Sequence, residues 1–371
     1  MIGAVVFAGV PFELPAPTGA RPIGTTSWQV TEGQRQIGVH AWYPAASAGR
    51  EAAPYLRDGV AGVRGFAAAL GGPPGLFDDL ATVRTHATVD PPLAPRPALL
   101  PLLLFSHGYT AEPSAYTALL EDLASHGYAV LSIVHPYGRD EAGRVMAEWV
   151  SEDATMAAIT GTADEVEQMR LMRGYLSAIP LSTAVVSHWV DDTRLVLGRL
   201  PRLSPNTAAG RFAARIDASR IGVFGHSMGG VVAAQFCLDD RQCRAGLNLD
   251  GIPQYGSVVD GELRRPFMMV YSSRPGRAGA SDIVYRRAAS PYYRVQVNGT
   301  LHLDFSDMAF WAPLRDRNIL GAIAPARAAE ITRAIVREYF DQELRGQPSA
   351  LLAGDRRVPE LTVAKFRRDP L

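Results

Sequence analysis

The chain has 371 residues, 47% of them hydrophobic, and its 37 basic residues are balanced by 37 acidic ones. That composition supplies a large core for one α/β unit, and the even charge gives no sign of the basic face that binds a polyanion, so nucleic acid is not expected as a partner. Lysine occurs only at Lys365, so a Schiff-base lysine or a lysine-terminated phosphate loop has no residue inside the fold to use; no His-Glu-x-x-His or paired Cys-x-x-Cys supports a metal site.

Met1 to Val10 is apolar, lacks a basic leader and is too short to span a bilayer. We read residues 1–23 as an N-terminal extension, the remnant of an export or membrane segment. "TTSWQVTE" and "IGVHAWYPA" alternate with period two and predict paired strands about a turn at Gly33. Ala52 to Arg96 is rich in Gly, Pro and Ala, and is expected to be an insertion that packs over the domain without extending its sheet. "ALLPLLLFSHGYT" is too continuously apolar for a half-exposed strand and predicts a central one. Glu112 to Ser125 has helical spacing through Tyr116, Leu119, Leu120 and Leu123, with Gly127 as its stop. "YAVLSIVHP" predicts the next buried strand.

Residues 138–205 hold mixed helical patterns, the clearest through Val186, Trp189, Val190, Thr193, Leu197 and Leu200. They are expected to form a second insertion that contributes a lid and returns the chain to the sheet. "RIGVFGHS", a helix over Gly229 to Leu238, "AGLNLDG", "PFMMVYSS", "YYRVQVNG" and a last helix over Ala326 to Leu344 complete the pattern. Strands alternating with helices predict an α/β fold: a mostly parallel central sheet with helices on both faces, forming one domain over 24–371. Cys237 and Cys243 in "CLDDRQC" enclose a short loop. A disulfide there favours an exported, extracytoplasmic protein, and two reduced thiols would suit a cytoplasmic one.

Gly225-His226-Ser227-Met228-Gly229 matches G-x-S-x-G between a predicted strand and a predicted helix, the context in which such a serine is a nucleophile. A serine hydroxyl needs a base, itself oriented by a carboxylate. Of the eight histidines only His302 follows Ser227, and in the order serine, acid, histidine it is the candidate base. Asp250 in "LNLDG" and Asp282 after "PFMMVYSS" stand level as the acid. Asp304 reads as a local loop carboxylate. The N–H groups of Met228 and of Tyr109, in "SHGYT", are the expected oxyanion donors, and His107 reads as a structural residue of that turn. Met308, Phe310 and Trp311 in "DMAFWAP" read first as core packing and second as the wall of an acyl pocket or a lipid-contact surface.

These stretches resemble the plasma-type platelet-activating factor acetylhydrolases and their bacterial relatives among the α/β hydrolases. "LLLFSHGYT" is similar to the family's oxyanion strand and loop, "GHSMGG" to its nucleophile turn, "NLDG" to the position of its acid, and "GTLHLDFSD" to its histidine segment. The likeness runs from about Gly24 to Leu344. It implies Asp250 as the acid, supports Tyr109 and Met228 as donors, and implies hydrolysis of short or oxidised acyl chains from phospholipids without calcium or any cofactor. The partner so implied is a lipid or small-molecule ester, with contact at a membrane surface as a further expectation. Met228 stands where the family often has an aromatic residue, and residues 138–205 show no close likeness, so the substrate stays open between phospholipid esters and simple carboxylic esters, lactones or polyesters. A non-catalytic binding protein on this fold is set aside because serine and histidine are both present.

Overall fold

In the computed structural model, which describes residues 12–57, 59–95, 99–109, 111–136, 153–315 and 317–366, strands β1 (Ile23–Glu32) and β2 (Arg35–Pro44) pair antiparallel from Ile23 opposite Pro44 to Glu32 opposite Arg35. The turn between them uses Gly33 at φ 60°, a conformation that costs glycine little. The segment expected to pack over the domain does extend the sheet: β3 (Ala52–Pro54) and β4 (Arg84–Val89) form its far edge beside β1. Thr85 and Ala87 are buried in β4 while Arg84, His86 and Val89 are exposed, the alternation of a strand with one face covered, which the surrounding Gly, Pro and Ala obscure. Only α1 (Ala61–Ala69) and a short 3-10 turn at Asp78–Thr82 lie over the sheet.

The chain continues through β5 (Leu100–Ser106), α2 (Thr117–Ser125), β6 (Ala129–Val134), α3 (Asp153–Gly161), α4 (Glu165–Ser177), α5 (Pro180–Arg199) and α6 (Ala208–Ala213). Then follow β7 (Ile216–His226), α7 (Met228–Asp239), β8 (Cys243–Leu249), β9 (Phe267–Ser272), α8 (Asp282–Tyr285), β10 (Tyr292–Val297), α9 (Ala312–Arg315), α10 (Pro325–Arg345), α11 (Ala350–Ala353) and β11 (Leu361–Phe366). The sheet order is β11-β10-β9-β8-β7-β5-β6-β2-β1-β4-β3. From β6 across to β10 every neighbouring pair is parallel, as βαβ crossovers require.

Double burial explains the unbroken apolar runs. Leu103 and Phe105 of β5 enter a core with Phe224, Ile331, Tyr339 and Phe340, while Leu102 and Leu104 enter a second core with Val223, Val231 and Trp189. Helices α2 and α10 cover the first face, α5 and α7 the second. Helix α5, from the segment expected to supply a lid, thus packs on the sheet through Val186, Trp189, Val190 and Leu197; residues 137–152 of that segment lie outside the described residues. Edge strand β11 follows the last helix and pairs antiparallel with β10, placing the Lys365 ammonium over the Tyr293 ring. A disulfide joins Cys237 to Cys243, tying the end of α7 to the start of β8. Among the described residues no helix is long and apolar enough to cross a membrane; Met1 to Val10 lies outside them.

Candidate active site

Strand β7 runs into α7 with one residue between them, Ser227, at φ 56° and ψ −125°. A non-glycine side chain at positive φ is strained, and such strain persists only where packing enforces it. Here it does: a Cβ on Gly225 would lie 2.3 Å from the Gly229 carbonyl carbon, and one on Gly229 would lie 1.9 Å from the Ser106 carbonyl oxygen. The two glycines of the motif are the contact surfaces of a turn too tight for any side chain, and Ser227 is left facing a cavity of about 330 Å³.

His302 lines the same cavity. Its Nδ1 lies 2.8 Å from Asp250 Oδ2, and the second carboxylate oxygen, Oδ1, accepts the Ser272 N–H at 2.7 Å. Asp250 is itself at φ 54°, directly after β8 and beside Ser227, whose N–H donates to the Leu249 carbonyl at 2.8 Å. Asp282 is elsewhere, buried and accepting from the hydroxyls of Tyr271 at 2.9 Å and Tyr292 at 2.7 Å. Asp304 accepts the N–H groups of Leu301 at 2.7 Å and Gly321 at 2.6 Å, closing the loop that presents His302. The structure therefore brings Ser227, His302 and Asp250 together at the carboxyl ends of the parallel strands, where open α/β sheets place ligands.

The loop after β5 faces Ser227 from the other side. Gly108 N–H donates to the Tyr116 hydroxyl oxygen at 3.1 Å, which removes it as an oxyanion donor and leaves Tyr109 as the candidate from this loop. Met228 is the first residue of α7, where unpaired N–H groups and the helix dipole favour developing negative charge. His107 holds the turn: its Nδ1–H donates to the Gly108 carbonyl at 2.8 Å and its Nε2 accepts the His135 N–H at 3.3 Å.

Pattern reasoning missed His226 and Tyr116. The His226 ring is buried, and its Nε2–H donates to the His302 carbonyl at 2.9 Å while Nδ1 accepts from the Tyr116 hydroxyl at 2.8 Å. Burial, and next the neighbouring His302, hold its pKa well below the ordinary histidine value, so the ring is a neutral link between the nucleophile turn and the histidine loop. Also unforeseen are the cavity walls. Phe66, Ala111, Leu303 and Met308 form an apolar side, and Tyr175, Ser182, Tyr255, Arg274 and Arg277 a polar one. Nothing local marks such residues, because the fold gathers them from six separate segments. Of the three apolar candidates only Met308 lines the cavity: Trp311 is buried against Phe66 and Phe77, and Phe310 stacks on Phe12.

A family model described as platelet-activating factor acetylhydrolase, isoform II, matches residues 10–168 and 203–343. The chain belongs to that family. Among similar members, the platelet-activating factor acetylhydrolase of Cavia porcellus is 26% identical over 224 residues, covering 57% of this chain and 49% of its own length. A probable 1-alkyl-2-acetylglycerophosphocholine esterase of Arthroderma benhamiae is 28% identical over 152 residues, 41% of this chain and 31% of its own. The chain thus spans about half the length, or less, of these curated relatives. A solved ferulic acid esterase from Streptomyces cinnamoneus matches with a TM-score of 0.70 and 28% identity over 95% of this chain and 99% of its own. The architecture is that of an α/β hydrolase.

Proposed function

We propose that the chain is a serine esterase that hydrolyses short or oxidised acyl esters of phospholipids through an acyl-enzyme. The observation that carries this is the His302 Nδ1 to Asp250 Oδ2 bond of 2.8 Å in the cavity that also exposes Ser227. In this reading Ser227 Oγ adds to the acyl carbonyl carbon while His302 Nε2 takes its proton. The Tyr109 and Met228 N–H groups bind the resulting oxyanion, and Asp250 holds the imidazolium. The C–O bond to the leaving alcohol then breaks as His302 returns the proton to that oxygen. Water repeats the sequence on the acyl-enzyme, giving a carboxylic acid and free Ser227.

The two-sided wall supports the substrate class. The apolar side suits an acyl chain, and the Arg274 and Arg277 guanidiniums on the other side suit an anionic group such as a lipid phosphate. At about 330 Å³ the cavity sits near the lower end of small-molecule sites, about 300–1,000 Å³, which favours a short chain. The names of the similar acetylhydrolases agree with this choice. A second reading, a general carboxylesterase acting on simple esters, lactones or polyesters, is favoured by the likeness to the ferulic acid esterase along nearly the whole chain. The disulfide supports an extracytoplasmic site of action, where contact with a membrane surface would supply the substrate.

Turnover of acetyl, oxidised-acyl and long-chain phospholipids beside p-nitrophenyl and feruloyl esters, with Ser227→Ala as control, tests the proposal. Short-chain phospholipids should give the highest kcat/KM. A preference for the simple esters selects the second reading, and activity undiminished in Ser227→Ala overturns both.

A further inference from the structure

Trp189 and Asp192 stand one turn apart on α5, within the stretch 169–202 that the family model leaves unmatched. Both reach the carboxyl ends of β5 and β6. The Asp192 carboxylate accepts the Nδ1–H of His135 at 2.7 Å, and both side chains are fully buried. Nε2 is then an acceptor, 3.0 Å from the Ser106 hydroxyl. Burial, opposed by Asp192 and aided by the Arg35 charge, lowers the His135 pKa, which keeps this ring neutral. Arg35 completes the group, pairing with Asp192 and donating to the His188 carbonyl at 2.7 Å. The bonds repeat those of a serine hydrolase centre, yet Ser106, His135 and Asp192 are 3%, 6% and 0% exposed and none lines the cavity of Ser227. No acyl group can reach Ser106.

What this second set holds is the loop that begins at Ser106. Its hydroxyl is bonded to the His135 ring; the next residue, His107, bonds the His135 backbone N–H and the Gly108 carbonyl. The Trp189 indole lies flat on the His135 imidazole, 4.3 Å between centroids and 8° between planes, and meets the rings of His107 at 4.9 Å and Tyr109 at 6.0 Å. Ser106, His107 and Tyr109 are thus held from the α5 side, and the Gly108 carbonyl is held through the His107 ring.

We infer that His135, fixed by Asp192 and covered by Trp189, is a positioning residue that sets the Gly108–Tyr109 backbone so that the Tyr109 N–H meets the developing oxyanion. The inference rests on the acyl-transfer reading of Ser227, and it gives α5, from outside the matched family segments, a part in that reaction. Because the oxyanion is absent from the bound ester and develops only as Ser227 attacks, misplacing its donor lowers kcat and leaves ground-state binding in place.

The test uses the full chain, p-nitrophenyl acetate, and an alkyl trifluoromethyl ketone whose hemiketal oxygen takes the oxyanion position. His135→Gln and Asp192→Asn should each lower kcat about 10- to 100-fold at a KM within about twofold of wild type, and weaken the ketone by a matching factor. Trp189→Phe, which keeps a flat ring over the imidazole, should retain most of the activity that Trp189→Ala loses. Unchanged kcat, a loss confined to KM, or a fall in kcat with ketone affinity intact overturns the inference. If the substitutions at His135 and Asp192 prevent folding, Ser106→Ala, which removes one hydroxyl, should show the same kcat-specific loss at about threefold or more, and its absence overturns the inference equally. Labelling by a fluorophosphonate separates the two levels. A wild type that takes no label at Ser227 refutes the nucleophile reading together with this inference, whereas a labelled wild type with unimpaired variants refutes the inference alone.

Discussion

Two Ser–His–Asp sets lie at the carboxyl ends of neighbouring strands, and they share their residue types and a bond from histidine Nδ1 to the aspartate carboxylate. His302 leaves 34% of its side chain exposed and His135 none. Ser227 sits at φ 56° between two glycines that admit no side chain, and Ser106 ends an ordinary strand. The same three side chains are thus set for attack in one place and for fixing a backbone in the other. Access and backbone geometry decide which, because a nucleophile needs room for a tetrahedral carbon and a strut needs none. Substitutions that treat the two sets alike are the way to break or sharpen the contrast.

The largest effect is expected at the nucleophile. Ser227→Ala should lower kcat on p-nitrophenyl acetate by about 10⁵-fold or more and abolish fluorophosphonate labelling. In Ser106→Ala the label should still go to Ser227, slowed and undiminished in final stoichiometry. Peptide mapping of the labelled protein decides it, and label found on Ser106 in the wild type would erase the distinction between the two sets.

Next come the carboxylates. Asp250→Asn leaves the packing in place but offers His302 Nδ1 an amide where it had a charge, and should cost about 10³- to 10⁴-fold in kcat. Asp282→Asn should change kcat by less than about threefold and show mainly in stability, since Asp282 accepts from two buried tyrosine hydroxyls. Equal losses in the two variants would undo the assignment of the acid.

That pair also shows what one dimension hides. The nucleophile turn is legible because its glycines, strand and helix are adjacent in the chain, and His302 is legible because no other histidine follows the serine. Asp250 and Asp282 both follow buried strands, and they part only because β8 lies beside β7 and Asp282 falls among the tyrosines of β9 and β10. The resemblance separated them where local pattern did not. The extension of the sheet by β3 and β4, the edge strand β11, and the wall residues Phe66, Tyr175 and Ser182 were illegible for the same reason: short or composition-masked segments acquire their role from partners far away in the chain.

Gly108 offers a smaller test from the side opposite α5. Tyr116→Phe removes the oxygen that accepts the Gly108 N–H and donates to His226, leaving a buried donor and a buried ring nitrogen unmatched. About a tenfold fall in kcat is expected, with KM little changed. A drop as large as that of Asp250→Asn would mean that this chain of bonds holds His302 more than it holds the loop.

The last expectation extends the contrast to pH, since groups at an open site titrate in the rate whereas buried ones titrate in the stability. Asp307, five residues past His302, is buried beneath the loop, with its Oδ2 accepting from Tyr55 hydroxyl at 3.3 Å and the Ala118 N–H at 3.2 Å. Burial pushes its carboxyl up to about 7, a shift that Glu121 supports and that the Ala118 N–H and Arg333 oppose. A carboxyl raised in the fold binds its proton more tightly there than in the unfolded chain. Its contribution to stability is therefore full below the ordinary aspartate range and is lost as pH climbs toward 7, at about 1.4 kcal/mol per pH unit. Asp307→Asn presents the same oxygen to Tyr55 and Ala118 with nothing to ionise. Relative to wild type it should gain about 2–3 kcal/mol in urea unfolding between pH 5 and pH 7, with kcat little changed at either pH. Parallel stability curves would show that Asp307 is already ionised in the fold, and a pH-dependent change in kcat would place it in the open set after all.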